Sequence, residues 1–155
     1  MAFVIGGEKT SASIKLSGLP ELDAAFDKLQ GKVRNSIGKK ALRQATNVTL
    51  RYARQYVLKD TKQLMKALKT SAKDLGRDAR LAGNFGMKVS IPKKKAHVRI
   101  YLIRVEFDET YGEGGEPTRF MKRAVEASKP EAKKIFRTKL QELIRAEKAK
   151  AVPSG

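Results

Sequence analysis

The sequence contains no cysteine and no tryptophan, and His97 is its single histidine. Without cysteine the chain has no disulfide scaffold, no thiolate metal site and no cysteine nucleophile. It also lacks an apolar run near the roughly 20 residues that a membrane helix requires, because the longest candidate, residues 98–107, contains Arg99 and Arg104. The first residues show neither a basic segment nor a long apolar segment, so we expect no secretory signal and no membrane partner.

Acidic residues are too few to balance the basic ones. Lysine and arginine number 34 against 16 aspartate and glutamate residues, which gives a formal net charge of +18. Such an excess favours a polyanionic partner. A length of 155 residues suits one domain, which we place at 1–155. The charge is uneven, since residues 106–116 (the acidic segment) contain five acidic residues and no basic one. The acidic segment is either an interaction surface or a solvated loop.

The residue pattern gives little support for catalysis. His97 has no aspartate or glutamate nearby in sequence, and the carboxylates of the acidic segment lack the spacing of a calcium loop. The glycines at 112–115 are not followed by the Gly-Lys-Ser/Thr of a phosphate-binding loop. Zinc-finger spacing and aromatic ribonucleoprotein motifs are also absent from the sequence. We therefore predict a non-enzymatic protein without a metal or cofactor, which attracts nucleic acid through backbone electrostatics alone.

Hydrophobic periodicity predicts an α+β fold, with a small antiparallel sheet packed with a long amphipathic helix and a C-terminal helix. Strict alternation predicts a strand at 11–17. A second strand at 87–91 is expected to form a hairpin with a third strand that starts near residue 96, and Lys93, Lys94 and Lys95 would lie at its tip.

Helical periodicity alternates with glycine-rich segments along the rest of the chain. Helices are predicted at 20–29, at 32–58, within 61–72, from Pro117 onward and, after a break near 128–130, to the C-terminal region. We expect flexible segments at 1–10, 73–86, 108–117 and 148–155.

The long helix predicted at 32–58 has a basic stripe beside its apolar one. The stripe recurs at helical spacing and consists of Lys40, Arg43, Asn47, Arg51 and Arg54. No acidic residue lies between Lys28 and Asp60 to neutralise it. The stripe is either a polyanion-binding surface or a charged face that serves solubility.

Three sequence segments, in order, share motifs with one known protein family. The first is Leu16-Ser17-Gly18-Leu19-Pro20-Glu21-Leu22, and the second is Asp60-Thr61-Lys62-Gln63-Leu64, with Lys62 where glycine is usual. The third combines Tyr101, Val105-Glu106-Phe107-Asp108 and Thr110 with the helix start Pro117-Thr118-Arg119-Phe120-Met121-Lys122-Arg123-Ala124. Together these segments resemble the gene-product-ten-like tail component family of lambdoid siphophages. Asp108 stands where the family has glycine, and Arg123 stands where a second proline is common. The resemblance spans residues 14–146.

The resemblance implies a structural ring component of the virion neck or upper tail, which completes the tail and joins it to the head around the DNA channel. Related rings are commonly hexameric, so the expected partners are further copies of the chain, the tail terminator or tail tube, the head connector, and double-stranded DNA contacted without sequence specificity. The expected location is the virion, reached by assembly in the host cytoplasm. Under this hypothesis the DNA-facing candidates are Lys40, Arg43, Arg51, Arg54, Lys93, Lys94 and Lys95. The candidates for inter-subunit contact are Glu106, Glu109, Glu113, Glu116 and Phe120.

Two other interpretations of the sequence remain open. The chain is equally consistent in size with a tail terminator, the neighbouring ring that caps the polymerised tube. A different class of function, a free basic protein that binds DNA without sequence preference, predicts that Arg43, Arg51 and Arg54 form one patch with the lysines at 93–95.

Overall fold

The structure is a computed structural model that describes residues 3–7, 10–14, 20–57, 62–73, 75–78, 85–111 and 113–152. Its strands are β1 (Phe3–Gly7), β2 (Thr10–Ile14), β3 (Lys69–Ala72) and β4 (Phe85–Ser90). Its helices are α1 (Pro20–Asp27), α2 (Gly31–Tyr56), α3 (Lys62–Ala67), α4 (Ala96–Phe107) and α5 (Phe120–Ala151). Short 3₁₀ turns cover Lys93–Lys95, Glu109–Tyr111 and Glu113–Gly115.

The strands form one sheet in the order β2-β1-β4-β3. Its two outer pairings are antiparallel, with Phe3 opposite Ile14 and Lys69 opposite Ser90, and its central pairing of β1 with β4 is parallel. The sheet packs on the helices, with β4 against α2 and β2 against α5. The predicted α+β class, with a small sheet, a long helix and a C-terminal helix, is confirmed.

The main core lies between α2 and α5, which run antiparallel. The first half of α2 packs on the second half of α5 through a cluster completed by α1 and β4. Its buried members are Leu22, Phe26, Ile37, Ala41, Leu42, Ala45, Val48, Met87, Ala132, Phe136, Leu140 and Ile144. Near the middle of the pair the hydroxyl oxygens of Thr49 and Ser128 lie 2.7 Å apart, so this buried polar pair is mutually satisfied.

A second apolar cluster lies at the other end of the helix pair. In this cluster the end of α2 and the start of α5 pack with α3, with the end of β4 and with the buried side of α4. The buried members are Ala53, Val57, Leu64, Ala67, Leu68, Val89, Ile91, Val98, Leu102, Val105, Phe120, Met121 and Ala124. The two clusters together bury apolar side chains along nearly the whole length of α2 and most of α5, which makes this helix pair the centre of the fold.

The third predicted strand is wrong, because residues 96–107 form helix α4. The alternation of Val98, Ile100 and Leu102 favoured a strand, yet Ile100 is 56% exposed while the other two are buried. Burial instead follows helical spacing, at Val98, Leu102 and Val105. Packing against the second cluster therefore overrides the β-propensity of this β-branched segment. With no third strand, the lysines at 93–95 are not at a hairpin tip.

The predicted break near residues 128–130 is also wrong, since α5 is continuous across Pro130. Proline has no N–H to donate to the carbonyl of Glu126, which is why a break was expected. The inward positions recur every four residues on both sides of it, at Ala124, Ser128, Ala132, Phe136, Leu140 and Ile144. Burial of this single seam against α2 offsets the hydrogen bond that Pro130 cannot make.

Other boundaries differ from those predicted. Helix α2 spans Gly31–Tyr56 instead of the predicted 32–58. Strand β1 lies in the segment 1–10, which was expected to be flexible, and β3 occupies the end of the predicted 61–72 helix. Regular structure also enters the other segments expected to be flexible, at 85–86, 109–111, 113–115 and 148–151. Residues 15–17 of the first predicted strand, and 58–61, 79–84 and 153–155 of other predicted segments, lie outside the described residues.

The adjacent residues Phe136 and Ile135 test the importance of the α2–α5 seam. Phe136 is fully buried, so Phe136→Ala is expected to lower the free energy of unfolding by about 3–5 kcal/mol through lost burial and a cavity. Ile135 points outward and is 37% exposed, so Ile135→Ala should change it by less than about 1 kcal/mol. Urea unfolding followed by circular dichroism measures both, and equal losses in the two variants would contradict this packing.

Candidate functional site

The predicted basic stripe lies on an exposed face of α2. Lys40, Arg43, Arg51 and Arg54 are all exposed, and α2 itself contains no acidic residue. The apolar positions of α2 face α5 and the sheet, which is why its cations share the opposite side. The structure thus places these four predicted DNA-facing residues on one helix face.

Two of the four cations are engaged within the chain. Arg51 Nη2 donates to Glu131 Oε1 of α5 at 2.6 Å, and the Tyr52 hydroxyl donates to the other carboxylate oxygen of Glu131 at 3.2 Å. The hydrogen bond with Arg51 holds the pKa of Glu131 below its ordinary value, and the same bond raises the pKa of Arg51. Arg54 Nη2 donates to the carbonyl of Leu68 at 3.0 Å. These arginines therefore tie α2 to its neighbours as well as carrying charge.

Lys40 and Arg43 have no such engagement in the part of the chain that the structure describes. Neither forms an ion pair with a carboxylate among the described residues, and both side chains are exposed. They are therefore the positions of the stripe that are best placed to meet an external phosphate.

The three consecutive lysines lie on a different element. Lys93, Lys94 and Lys95 form an exposed 3₁₀ turn that leads directly into α4, with Lys95 N donating to the carbonyl of Pro92 at 2.9 Å. They form a second group of exposed cations, before the N-terminus of α4.

A pair of lysines that the sequence interpretation did not single out lies on the sheet. Burial, and then the neighbouring positive charge of Lys88, lower the pKa of Lys73. Lys73 follows β3, and its backbone N–H donates to the carbonyl of Gly86 on β4, which brings the two lysines together. Antiparallel pairing of β3 with β4 creates this proximity, and no sequence signal indicates it because β3 was not predicted.

Glu106, one of the predicted inter-subunit residues, is fully buried within the chain. Its Oε2 accepts a hydrogen bond from Met121 N at 2.8 Å, and its Oε1 accepts one from Lys122 N at 3.1 Å. The N–H groups in the first turn of a helix have no acceptor within that helix, so Glu106, at the end of α4, caps the N-terminus of α5. Phe120 is also fully buried. The expectation that Glu106 and Phe120 contact a neighbouring subunit is therefore wrong, because both side chains lie in the core.

Further hydrogen bonds close the loop between α4 and α5 at its base. The Thr118 hydroxyl donates to the carbonyl of Val105, and Arg119 N donates to the carbonyl of Glu106 at 3.2 Å. Arg119 adopts a left-handed backbone conformation, φ 48°, and its guanidinium lies 5.6 Å from the Phe107 ring centre. The loop thus begins and ends at the C-terminus of α4.

The remaining acidic candidates lie in this loop. Glu109 and Glu116 are exposed, and the side chain of Glu113 lies outside the described residues. Asp108 Oδ1 accepts hydrogen bonds from the backbone N–H and hydroxyl of Thr110, at 2.9 and 2.6 Å, which lower the pKa of Asp108. Glu109 and Glu116 are therefore available to an external partner, whereas Asp108 is committed to a local turn.

No cluster of three or more histidine, aspartate or glutamate side chains that could hold a metal ion is found among the described residues. His97 is exposed on α4. None of the helices in the described part of the chain has the length and apolar character of a membrane span.

Replacing Glu106 tests its role as a cap. Glu106→Ala leaves the N–H groups of Met121 and Lys122 without their acceptor, so we expect the free energy of unfolding to fall by about 1–3 kcal/mol. Glu109→Ala, an exposed change in the same loop, should alter it by less than about 0.5 kcal/mol. Urea unfolding at neutral pH checks both values, and similar losses at the two positions would contradict the cap.

The pH dependence of stability tests the burial of the same carboxyl group. Burial raises the pKa of Glu106 above its ordinary value, against the opposing effects of its two backbone hydrogen bonds and of Arg119. A raised folded-state pKa gives stability that is present at acidic pH and is lost as pH rises through that pKa. The stability of wild type relative to Glu106→Gln should therefore be greater near pH 3.5 than near pH 7. A difference that grows toward neutral pH would contradict this direction.

Comparisons of the chain with protein-family models, with curated proteins and with solved structures gave no match.

Proposed function

We propose that the chain is a structural ring component of the neck or upper tail of a tailed-phage virion, which completes the tail and joins it to the head around the DNA channel. The observation that carries the proposal is the exposed, acid-free face of α2, on which Lys40 and Arg43 pair with no described carboxylate. Such a face attracts any duplex through its phosphates and reads no base sequence.

The resemblance to the phage tail component family supplies the architectural part of the proposal. The segment with Val105 and Glu106 and the segment from Pro117 to Met121 carry its most recognisable motifs. In the structure these two segments meet, because Glu106 caps the helix that the second segment begins. The motif therefore has a structural role in this chain.

Weak attraction is what a passage for DNA requires. A ring that gripped DNA tightly would slow the exit of the genome, whereas dispersed cations hold a polyanion without a fixed register. Self-association through unlike surfaces closes into a ring when the rotation between neighbours permits. Under this proposal the ring is a hexamer that contacts the tail terminator or tail tube on one side and the head connector on the other, after assembly in the host cytoplasm.

Genetic removal of the chain from its phage tests the proposed function. We expect filled heads and tails that fail to join, or tails with a defective upper end, in electron micrographs of the lysate. Wild-type protein supplied in trans should restore joined, infectious particles. Infectious particles at normal yield in the absence of the chain would refute the proposal.

Binding of the purified protein to a short duplex tests the α2 face and separates the proposal from a free DNA-binding protein. The double variant Lys40→Ala/Arg43→Ala should reduce the slope of log affinity against log salt by about 2. Arg51→Ala should reduce the slope less, because Glu131 already engages that arginine. The matched control Lys134→Ala/Lys148→Ala removes two exposed cations from α5. It should leave unchanged the part of the slope that the cations of α2 contribute.

The strength of that binding decides between the two classes of function. A structural ring subunit should bind duplex weakly, near the ordinary range of non-specific binding, about 10⁻⁴ to 10⁻⁶ M at physiological salt. Nanomolar binding by the monomer under the same conditions would favour the free DNA-binding protein instead.

A further inference from the structure

The outer side of α4 is apolar although it lies at the surface. The residues on this side, here called the outer stripe, recur at intervals of four, three and four: Ala96, Ile100, Ile103 and Phe107. Ala96, Ile100 and Phe107 lie opposite the buried side of α4, which belongs to the second core cluster, whereas Ile103 is half-buried and also packs against that cluster. Ile100, at the centre of the outer stripe, is 56% exposed, while Phe107 at one end contacts the guanidinium of Arg119. A helix that is apolar on both sides is ordinarily covered on both.

The two ends of the outer stripe carry opposite charges. Lys93, Lys94 and Lys95 precede the N-terminus of α4. The loop that leaves and returns to its C-terminus, residues 108–117, contains four carboxylates and no lysine or arginine. Arg104 and Arg119 lie at the same end, but they are outnumbered by the carboxylates of the loop. The surface around the stripe is therefore basic at one end and acidic at the other.

These charges have the wrong sign for the helix they flank. The N-terminus of a helix carries partial positive charge and favours anions, while its C-terminus favours cations. Helix α4 has lysines before its N-terminus, no acidic residue in its first turn and no side-chain cap, and Asp108 and Glu109 follow its C-terminus. In the isolated chain the three lysines, Asp108 and Glu109 thus add to the helix dipole, against the favourable charge of Arg104 in the last turn.

We infer that the outer stripe of α4 packs against the same stripe of a second copy of this chain, with the two helices antiparallel. A two-fold axis between Ile100 and Ile103 places each Ile100 near the partner's Ile103. The same axis brings the lysines of one copy to the acidic loop of the other, at both ends of the contact. The antiparallel arrangement also opposes the two helix dipoles, so one geometry covers the apolar stripe and compensates the charges.

A second copy fits this surface better than an unrelated partner. The surface is self-complementary under a two-fold rotation, which is the defining property of an isologous interface. The contact is isologous, so it differs from the unlike surfaces that close a ring, and it does not rest on the proposed function. Helix α4 is about 18 Å long, so the interface is smaller than a standard one of about 1,600 Å². We therefore expect a dimer with a dissociation constant above about 1 μM.

Sedimentation equilibrium of the full chain tests the role of the outer stripe. With rising concentration, the average mass should increase from the monomer value of 17.2 kDa toward the dimer. Ile100→Asp should raise the dimer dissociation constant by at least about tenfold. The matched control Ile135→Asp alters another exposed isoleucine, on α5, and should leave the constant within about twofold. Circular dichroism verifies that both variants remain folded. A monomeric wild type up to about 1 mM, or equal effects of the two variants, would overturn the inference.

Charge exchange tests the antiparallel geometry. One variant, Lys93→Glu/Lys94→Glu/Lys95→Glu, makes both ends of the stripe acidic, and another, Glu109→Lys/Glu116→Lys, makes the acidic end basic. Each variant alone should be weakened in dimer formation by at least about tenfold, because like charges then meet at both ends of the contact. An equimolar mixture should form a heterodimer at the wild-type concentration or below, since opposite charges again face each other. A mixture that stays monomeric, or variants that each dimerise as wild type, would overturn the antiparallel arrangement.

Discussion

The packing of α2 on α5 is the interaction on which the rest of the molecule depends. Each helix presents a seam of buried residues at helical spacing, and the two seams run antiparallel over most of their length. The sheet, α1, α3 and α4 all pack on this pair. The same packing keeps α5 helical across Pro130, where local preference favours a break. A rigid pair of long helices is also what holds the exposed cations of α2 in one line.

Glu106 fixes the connection between α4 and α5 by hydrogen bonding to the start of α5. A buried carboxylate is costly unless its oxygens are paired, and here both oxygens accept backbone N–H groups that the start of α5 leaves unpaired. The loop from Asp108 to Pro117 is consequently closed at its base, and Glu109 and Glu116 are exposed on it. The acidic segment thus contains two kinds of residue. Glu106 is buried and caps α5, whereas Glu109 and Glu116 are exposed.

The charge pattern shows how composition and structure combine. An exposed basic face on α2 follows from the sequence, because helical spacing separates its cations from its apolar residues. Which of those cations are engaged does not follow. Glu131, the partner of Arg51, is 80 positions away, and the acceptor of Arg54 is a backbone carbonyl beyond the end of the helix. The outer stripe of α4 did not follow from the sequence either, because the predicted strand placed Ile100 on the same face as Val98 and Leu102.

The sequence by itself determined the α+β class, the helices at the start, middle and end of the chain, the strand ending near residue 90 and the excess of positive charge. These features depend on local periodicity and composition, which a linear pattern contains. Only the tertiary structure decided that residues 96–107 are helical, that α5 passes through Pro130 and that Glu106 is buried. Each of these depends on contacts between distant segments: burial against the second core cluster, a seam against α2, and unpaired N–H groups of α5. Local propensity is weak beside such contacts, so it gives the wrong structure where the two disagree.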